Sequence, residues 1–275
     1  MTHSSKKAFA MKTLFTTFAL AGLLAACGDS SAVGGGSEGG SPPVGGGGEG
    51  GAQPICTEPT PVLCEDDVFL AMNLKTAPSA TGITTEADGS GFLSIIDATA
   101  GGAFNPDPDS YTYGKFTDAG LEQVLINDED ALASMDWDIA FRRYVGRINS
   151  GNSGPSCVTA ARLPGTPDYD TLAEAPADLT YRSDTYFTES CDLIADGTGL
   201  EGSPATALSS YWTYPGCVQM TGNVYVIQLQ SGRQLKFTVT HFYNEAAQEQ
   251  CQTEATLPMA ETDSGTVQVR WAFLP

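Results

Sequence analysis

Two runs rich in β-branched and aromatic residues, 224–230 and 233–243, flank the dipeptide Ser231-Gly232. That pattern admits little besides an antiparallel hairpin. A two-residue turn places Val224 opposite Val239, Val226 opposite Phe237 and Gln228 opposite Leu235. Tyr225, Ile227 and Leu229 then point to the other face. Apolar residues stand on both faces, so the hairpin is expected to be covered on both. From residue 56 onward, short apolar runs alternate with Gly, Pro, Asp and Asn clusters, which predicts an all-β domain over 56–275. Further strands are expected over 92–96, 111–117, 137–148 and 267–273. Residues 128–134 predict a short acidic helix, since acids suit a first helical turn. Residues 149–155 read as a turn-rich loop and 197–210 as a surface loop of small residues. The fold class is therefore all-β, mainly antiparallel, with one or two short helices and no internal repeat.

Ahead of this domain, Lys6, Lys7 and Lys12 precede an apolar run over 14–26, too short to span a bilayer. This is the layout of a secretory signal peptide over residues 1–26, wherever translation starts, at Met1 or Met11. Leu24-Ala25-Ala26-Cys27 reads as a lipobox. Its small residues fit a peptidase pocket, and the Cys27 thiol takes a diacylglyceryl group of palmitate-type chains. Two or three acyl chains hold far more firmly than one, each buried CH₂ adding about 0.8 kcal/mol. Gly28, where an inner-membrane protein usually has Asp, favours the outer membrane. The competing account is an ordinary cleaved signal with Cys27 incidental to it. Residues 27–55 form a tether: 34–51 hold 11 Gly, and Val44 is their one apolar residue. Over residues 27–54 its mean reach is about 5–6 Å × √28, roughly 30 Å.

Charge narrows the partners. The 13 Lys and Arg face 33 Asp and Glu, and three of the Lys lie in the signal. The rest of the chain carries −23, which excludes nucleic-acid binding through general basicity. Seven Cys occur, and setting Cys27 aside leaves Cys56, Cys64, Cys157, Cys191, Cys217 and Cys251. An even number in an exported chain implies three disulfides, with fifteen connectivities open. Cys56 and Cys64, close in sequence, are expected to pair. A metal site lacks support: there is no C-x-x-C, and His241 is the one His after the signal.

No G-x-S-x-G, H-E-x-x-H or P-loop is present, and any Ser-His-Asp arrangement would have to use His241, so the chain reads as a binding protein and not an enzyme. Asn105, Asp107 and Asp109 alternate like the start of a Ca²⁺ loop, but Ser110 and Phe116 stand where Gly and Glu are needed. A solvated acidic loop fits better there and at Asn127-Asp128-Glu129-Asp130, with a Ca²⁺-stabilised adhesin as a weaker account.

The block Trp137-Asp138-Ile139-Ala140-Phe141-Arg142-Arg143-Tyr144, then Arg147-Ile148-Asn149 and Gly151-Asn152-Ser153-Gly154, resembles the HmuY family of bacterial haem-binding lipoproteins. That family carries a Trp-Asp opening, an Arg-Tyr pair and an Asn-x-Gly-x-Ser-Gly loop in this arrangement. Ile96-Asp97-Ala98 and Tyr111-Thr112-Tyr113 resemble its early strands, 224–243 its late hairpin and 265–273 its last strand, so the resemblance spans about residues 91–275. It implies a mainly β fold, haem b as ligand, an outer-membrane anchor and transfer of haem to a TonB-dependent outer-membrane receptor. Family ligands, two His or in some relatives Met, lie between the Asn-Ser-Gly loop and the late hairpin. Here residues 155–223 contain no His and one Met, Met220.

The axial candidates are therefore His241, Met220 and Tyr214, with Tyr211 beside the last. Each has a packing account as well: a strand-end His, or core and rim Met and Tyr. Hairpin parity puts His241 opposite Gly222, where the missing side chain leaves room for a flat ligand. Arg142, Arg143 and Arg147 are the propionate candidates, against a structural role pairing acids such as Asp136 and Asp138. Trp137 reads as a core anchor and 149–154 as a turn. Two functions follow: a haem-holding lipoprotein, or an interaction or structural lipoprotein on the same scaffold that has lost haem ligation.

Overall fold

The computed structural model describes residues 56–80, 82–100, 109–195 and 203–275. The signal peptide, Cys27, the tether and the residues Asn105 and Asp107 lie outside them. The described chain runs α1 (Glu65–Ala71), β1 (Ile83–Asp88), β2 (Gly91–Asp97), β3 (Thr112–Thr117), β4 (Gly120–Val124), α2 (Asp128–Ala131), β5 (Ile139–Arg142) and β6 (Val145–Ile148). It continues through β7 (Thr159–Arg162), β8 (Trp212–Thr213), β9 (Gln219–Met220), β10 (Val224–Gln228), β11 (Gln234–His241), α3 (Glu245–Glu254) and β12 (Thr266–Phe273). The fold is mostly antiparallel β with few short helices.

Three sheets form: β1-β2-β12-β11-β10-β7, β4-β3-β5-β6 and the pair β8-β9. The main core fills the space between the two larger sheets. Alternation decides which residues enter it. Leu235, Phe237 and Val239 of β11 and Val267, Val269 and Trp271 of β12 face inward, against Ile139 and Phe141 of β5. Burying each such side chain fully is worth about 1.5–3 kcal/mol. The other face of the smaller sheet, with Tyr113 and Ala140, packs on Trp137, on Val68 of α1 and on Ala131 of α2. Across the outer face of the larger sheet, Val224 and Val226 are covered by Leu163, Tyr169 and Leu172. Lys236 pins this strap by donating to the Tyr169 and Leu172 carbonyls at 2.9 and 3.0 Å. The hairpin is covered on both faces, as its sequence requires.

Its register differs from the expected one. Val224 pairs with Thr238, Tyr225 with Phe237 and Ile227 with Leu235. The turn holds three residues, 230–232: Leu229 N–H donates to the Arg233 carbonyl, and Gly232 takes φ 82°. A three-residue loop closed by a left-handed Gly is the standard alternative to the two-residue turn. The slip of one residue moves Tyr225 and Ile227 onto the face of Phe237 and Val239.

Other expectations are corrected too. Residues 137–148 are not one strand but the hairpin β5–β6, reversed at Arg143 with φ 52°. Residues 205–208 of the supposed surface loop are buried. Helix α3 was absent from the expected elements, although Asn244 caps it by accepting from the Ala247 N–H. The disulfides are Cys56–Cys157, Cys64–Cys191 and Cys217–Cys251, so Cys56 and Cys64 do not pair with each other. Each instead reaches across to a different loop. Asp128 is not solvated but fully buried, because α2 turns it inward.

Candidate functional site

A β-bulge between Val239 and His241 ends the regular pairing of β11 with β12. The chain then turns through Asn244 into α3, which lies against β9. Three contacts fix it there. Gln219 Nε2 donates to the Cys251 carbonyl at 2.6 Å, Gln252 brackets the Met220 backbone at 2.7 and 3.0 Å, and Cys217 is bonded to Cys251. Between α3 and the strand ends remains a groove of about 690 Å³, within the range of small-molecule sites. Met220, Gly222, Val239, His241, Glu245 and Glu249 are among its lining residues.

His241 is half-buried, with Nδ1 3.1 Å from Thr240 Oγ1. Burial lowers its pKa, outweighing the upward pull of Glu245, so the neutral ring is favoured. Met220 is 8% exposed and shares the main core. The structure thus brings together two of the three axial candidates, and Gly222 with them.

Tyr214 does not line this groove. It stands half-exposed, its ring edge-on to Trp212 at 6.5 Å, and Trp212 packs on Tyr144 at 4.8 Å. Tyr211 is buried against Phe141, and among the described residues its hydroxyl has no partner.

The three arginines lie elsewhere and are held by the chain itself. Arg142 pairs with Asp128 at 3.5 Å, donates to the Met72 and Asn73 carbonyls and stacks over Tyr111. Arg147 is fully buried and donates to Ser153 O at 2.8 Å and to the Tyr113 hydroxyl at 3.3 Å. Arg143 donates to Ser264 O at 2.6 Å, not to Asp138. The Asp138 carboxylate accepts from the Phe116 N–H at 2.9 Å instead.

Sequence reasoning missed two buried acids. Asp128 accepts from the Tyr111 N–H and the Tyr113 hydroxyl, both at 2.8 Å. Asp184 accepts from the N–H groups of Ile148 and Ala207 and from Ser153 Oγ at 2.7–2.8 Å. No local signal marks either, since their partners come from distant segments.

The donor set of the groove suits haem iron: a neutral imidazole and a thioether are an established axial pair. Its charged side chains are Glu245 and Glu249, and no Lys or Arg is among the described residues lining it. Among the described residues no group of three or more His, Cys, Asp or Glu is placed to hold a bare metal ion, and no helix is long and apolar enough to cross a membrane.

A family model described as HmuY protein matches residues 109–256, more than half of the chain. No curated protein sequence matches. Solved structures similar to the chain include an HmuY-like protein from Bacteroides vulgatus, at 17% identity and TM-score 0.43, covering 69% of this chain and 96% of that one. The apo HmuY analog of Tannerella forsythia is 15% identical, with TM-score 0.38, over 72% of this chain and all of that one. Apo PinO from Porphyromonas gingivitis is 13% identical, with TM-score 0.35, over 71% and 96%.

Proposed function

Because the chain belongs to the HmuY family, we propose that it is a lipid-anchored protein that holds haem, or a related flat apolar ligand, and passes it to a TonB-dependent outer-membrane receptor. In this reading residues 1–26 are cleaved, Cys27 carries the lipid, 27–55 are the tether and 56–275 hold the ligand. The observation that carries it is the meeting of His241 and Met220 on one groove. Haem, if bound there, would supply an iron able to take nitrogen and sulfur donors. The His241 ring, kept neutral by burial, offers its lone pair, and Thr240 fixes its orientation. Met220 would offer a soft sulfur from the core side, and Gly222, with nothing within 4 Å of where a Cβ would stand, adds open space to the same groove. The carboxylates of Glu245 and Glu249 would repel the propionates of a bound haem. The role is capture and handover, not catalysis.

Titration of the purified protein with haemin, oxidised and reduced, tests this directly. A saturable Soret shift, weakened in His241→Ala and Met220→Ala, is expected. No shift in either redox state ends the haem reading.

A second reading is favoured by the charges of the groove. With two carboxylates and no cation among its described lining, it welcomes the two propionates of haem poorly. On that account the scaffold persists as an interaction lipoprotein without haem ligation. Recovery of an outer-membrane partner by haem-free protein, together with a flat haemin titration, would favour it.

A further inference from the structure

A second concavity, of about 600 Å³, shares no lining residue with the His241 groove. Pro61 and Leu63 line it from the segment ahead of α1, and Phe187 and Ile194 from the stretch before residue 195. Two disulfides fix these walls. Cys64, next to Leu63, is bonded to Cys191, between Phe187 and Ile194, and Cys56 is bonded to Cys157. One buried side chain joins the walls as well. Asn152 Nδ2 donates to the Leu63 carbonyl at 2.9 Å, and its Oδ1 accepts from the N–H groups of Tyr186 and Phe187 at 3.0 Å. The concavity is therefore built before any ligand arrives, which removes an ordering cost from binding.

Its chemistry is one-sided. Leu63 is 60% exposed and Ile194 37%, although a fold of this size has a core able to take them. Glu189 is the one ionisable residue among the described lining. An anion would meet a carboxylate there and no cation, inside a chain that already carries a large negative charge. The Asn152 side chain is occupied within the walls. We propose that this concavity is a binding site for an uncharged apolar small molecule, separate from the haem groove.

The test uses residues 28–275, the chain without its signal and lipid-bearing Cys27, and the neutral apolar fluorophore N-phenyl-1-naphthylamine. Saturable one-site enhancement is expected, at least tenfold weaker in Leu63→Asp and in Ile194→Asp, and unchanged in His241→Ala. Both substituted leucine-type positions are exposed, and a circular-dichroism melt verifies that each variant is folded. The anionic analogue 8-anilinonaphthalene-1-sulfonate is expected to bind at least tenfold more weakly than the neutral probe. Absence of saturable binding, equal affinity in the Leu63 and Ile194 variants, or loss in His241→Ala overturns the site. Equal binding of the anion overturns the ligand class. None of these readouts depends on haem, so this proposal and the haem reading fail separately.

Discussion

The Tyr113 hydroxyl donates to Asp128 Oδ1 at 2.8 Å and accepts from Arg147 at 3.3 Å, joining two buried charges through one oxygen. Arg142 completes the Asp128 end, and Ser153 links Arg147 to Asp184 at the other. Two carboxylates and two guanidiniums thus balance behind the smaller sheet. Buried networks are costly when broken, because each orphaned group keeps its desolvation penalty. Tyr113→Phe should therefore lower stability by about 1–3 kcal/mol in urea unfolding, with an unchanged fold. A loss below a few tenths would show that Asp128 and Arg147 do not depend on this bridge.

Asp138 predicts a pH effect. Burial pushes its pKa up to about 6, with the Phe116 N–H and then Lys115 pulling the other way. The unfolded value is about 3.9. The folded state therefore binds more protons between these values, and stability falls as pH rises from about 4 to about 6. The effect is on the order of 2–3 kcal/mol. In Asp138→Asn the Oδ1 can still accept from Phe116, but the titration is gone. Relative to wild type, the variant should gain stability between about pH 4 and about pH 6 and level off above. A stability difference that does not vary with pH would refute the assignment.

The family block around Trp137 has a packing reason. Asn149 Nδ2 donates to the Trp137 and Ser134 carbonyls at 2.8 and 2.9 Å, and its Oδ1 accepts from the Ser156 N–H. Gly154 lies so close that a Cβ there would overlap Asn149 Oδ1 and reach the Trp137 ring at 2.9 Å. Gly154→Ala should cost about 1–3 kcal/mol, the range for overpacking, read from the urea midpoint. A midpoint equal to that of wild type would mean the loop yields freely.

The positions of β2, β3, β10, β11 and β12 and the two covered faces of the hairpin were legible because a period of two is local, whereas β1, β4, β7, β8, β9 and the break at Arg143 were not. So was the closeness of His241 to Gly222, which survives a register error of one. The turn length was not, because Gln230 can end a strand or begin a loop. The burial of Asp128 and Asp184 was hidden, since the Lys75 N–H that donates to Asp128 at 2.8 Å and the Ala207 N–H that donates to Asp184 come from other segments. Two disulfides span 101 and 127 residues, and proximity in sequence misled for that reason. Helix α3 escaped because its residues are largely polar and show no apolar stripe. Without α3, nothing in the sequence reveals that Met220 shares a groove with His241.

That dependence on α3 gives the next prediction. Cys217–Cys251 closes a 34-residue separation and ties α3 to the strand that carries Met220. Replacing both Cys by Ala should cost about 2–4 kcal/mol, largely by freeing the unfolded chain. It should also weaken any groove ligand, because only the hydrogen bonds of Gln219, Gln248 and Gln252 then hold the wall. Unchanged ligand affinity in the folded double variant would show that the groove does not need this clamp.

His241 links the groove to pH. Only the unprotonated ring can donate to iron, so a proton competes with the ligand. Burial is the first influence on the ring and lowers its pKa below the ordinary 6.5, while Glu245 raises it. Haemin affinity should therefore be level through neutral pH and persist somewhat below pH 6.5. Beneath the ring's own pKa it should fall roughly tenfold per pH unit. Glu245→Gln should shift the fall to lower pH, since the carboxylate that favours the imidazolium is removed. In His241→Ala the residual affinity should lose this dependence. A pH profile identical in wild type and His241→Ala would exclude the imidazole as ligand and leave Met220 or a ligand-free scaffold.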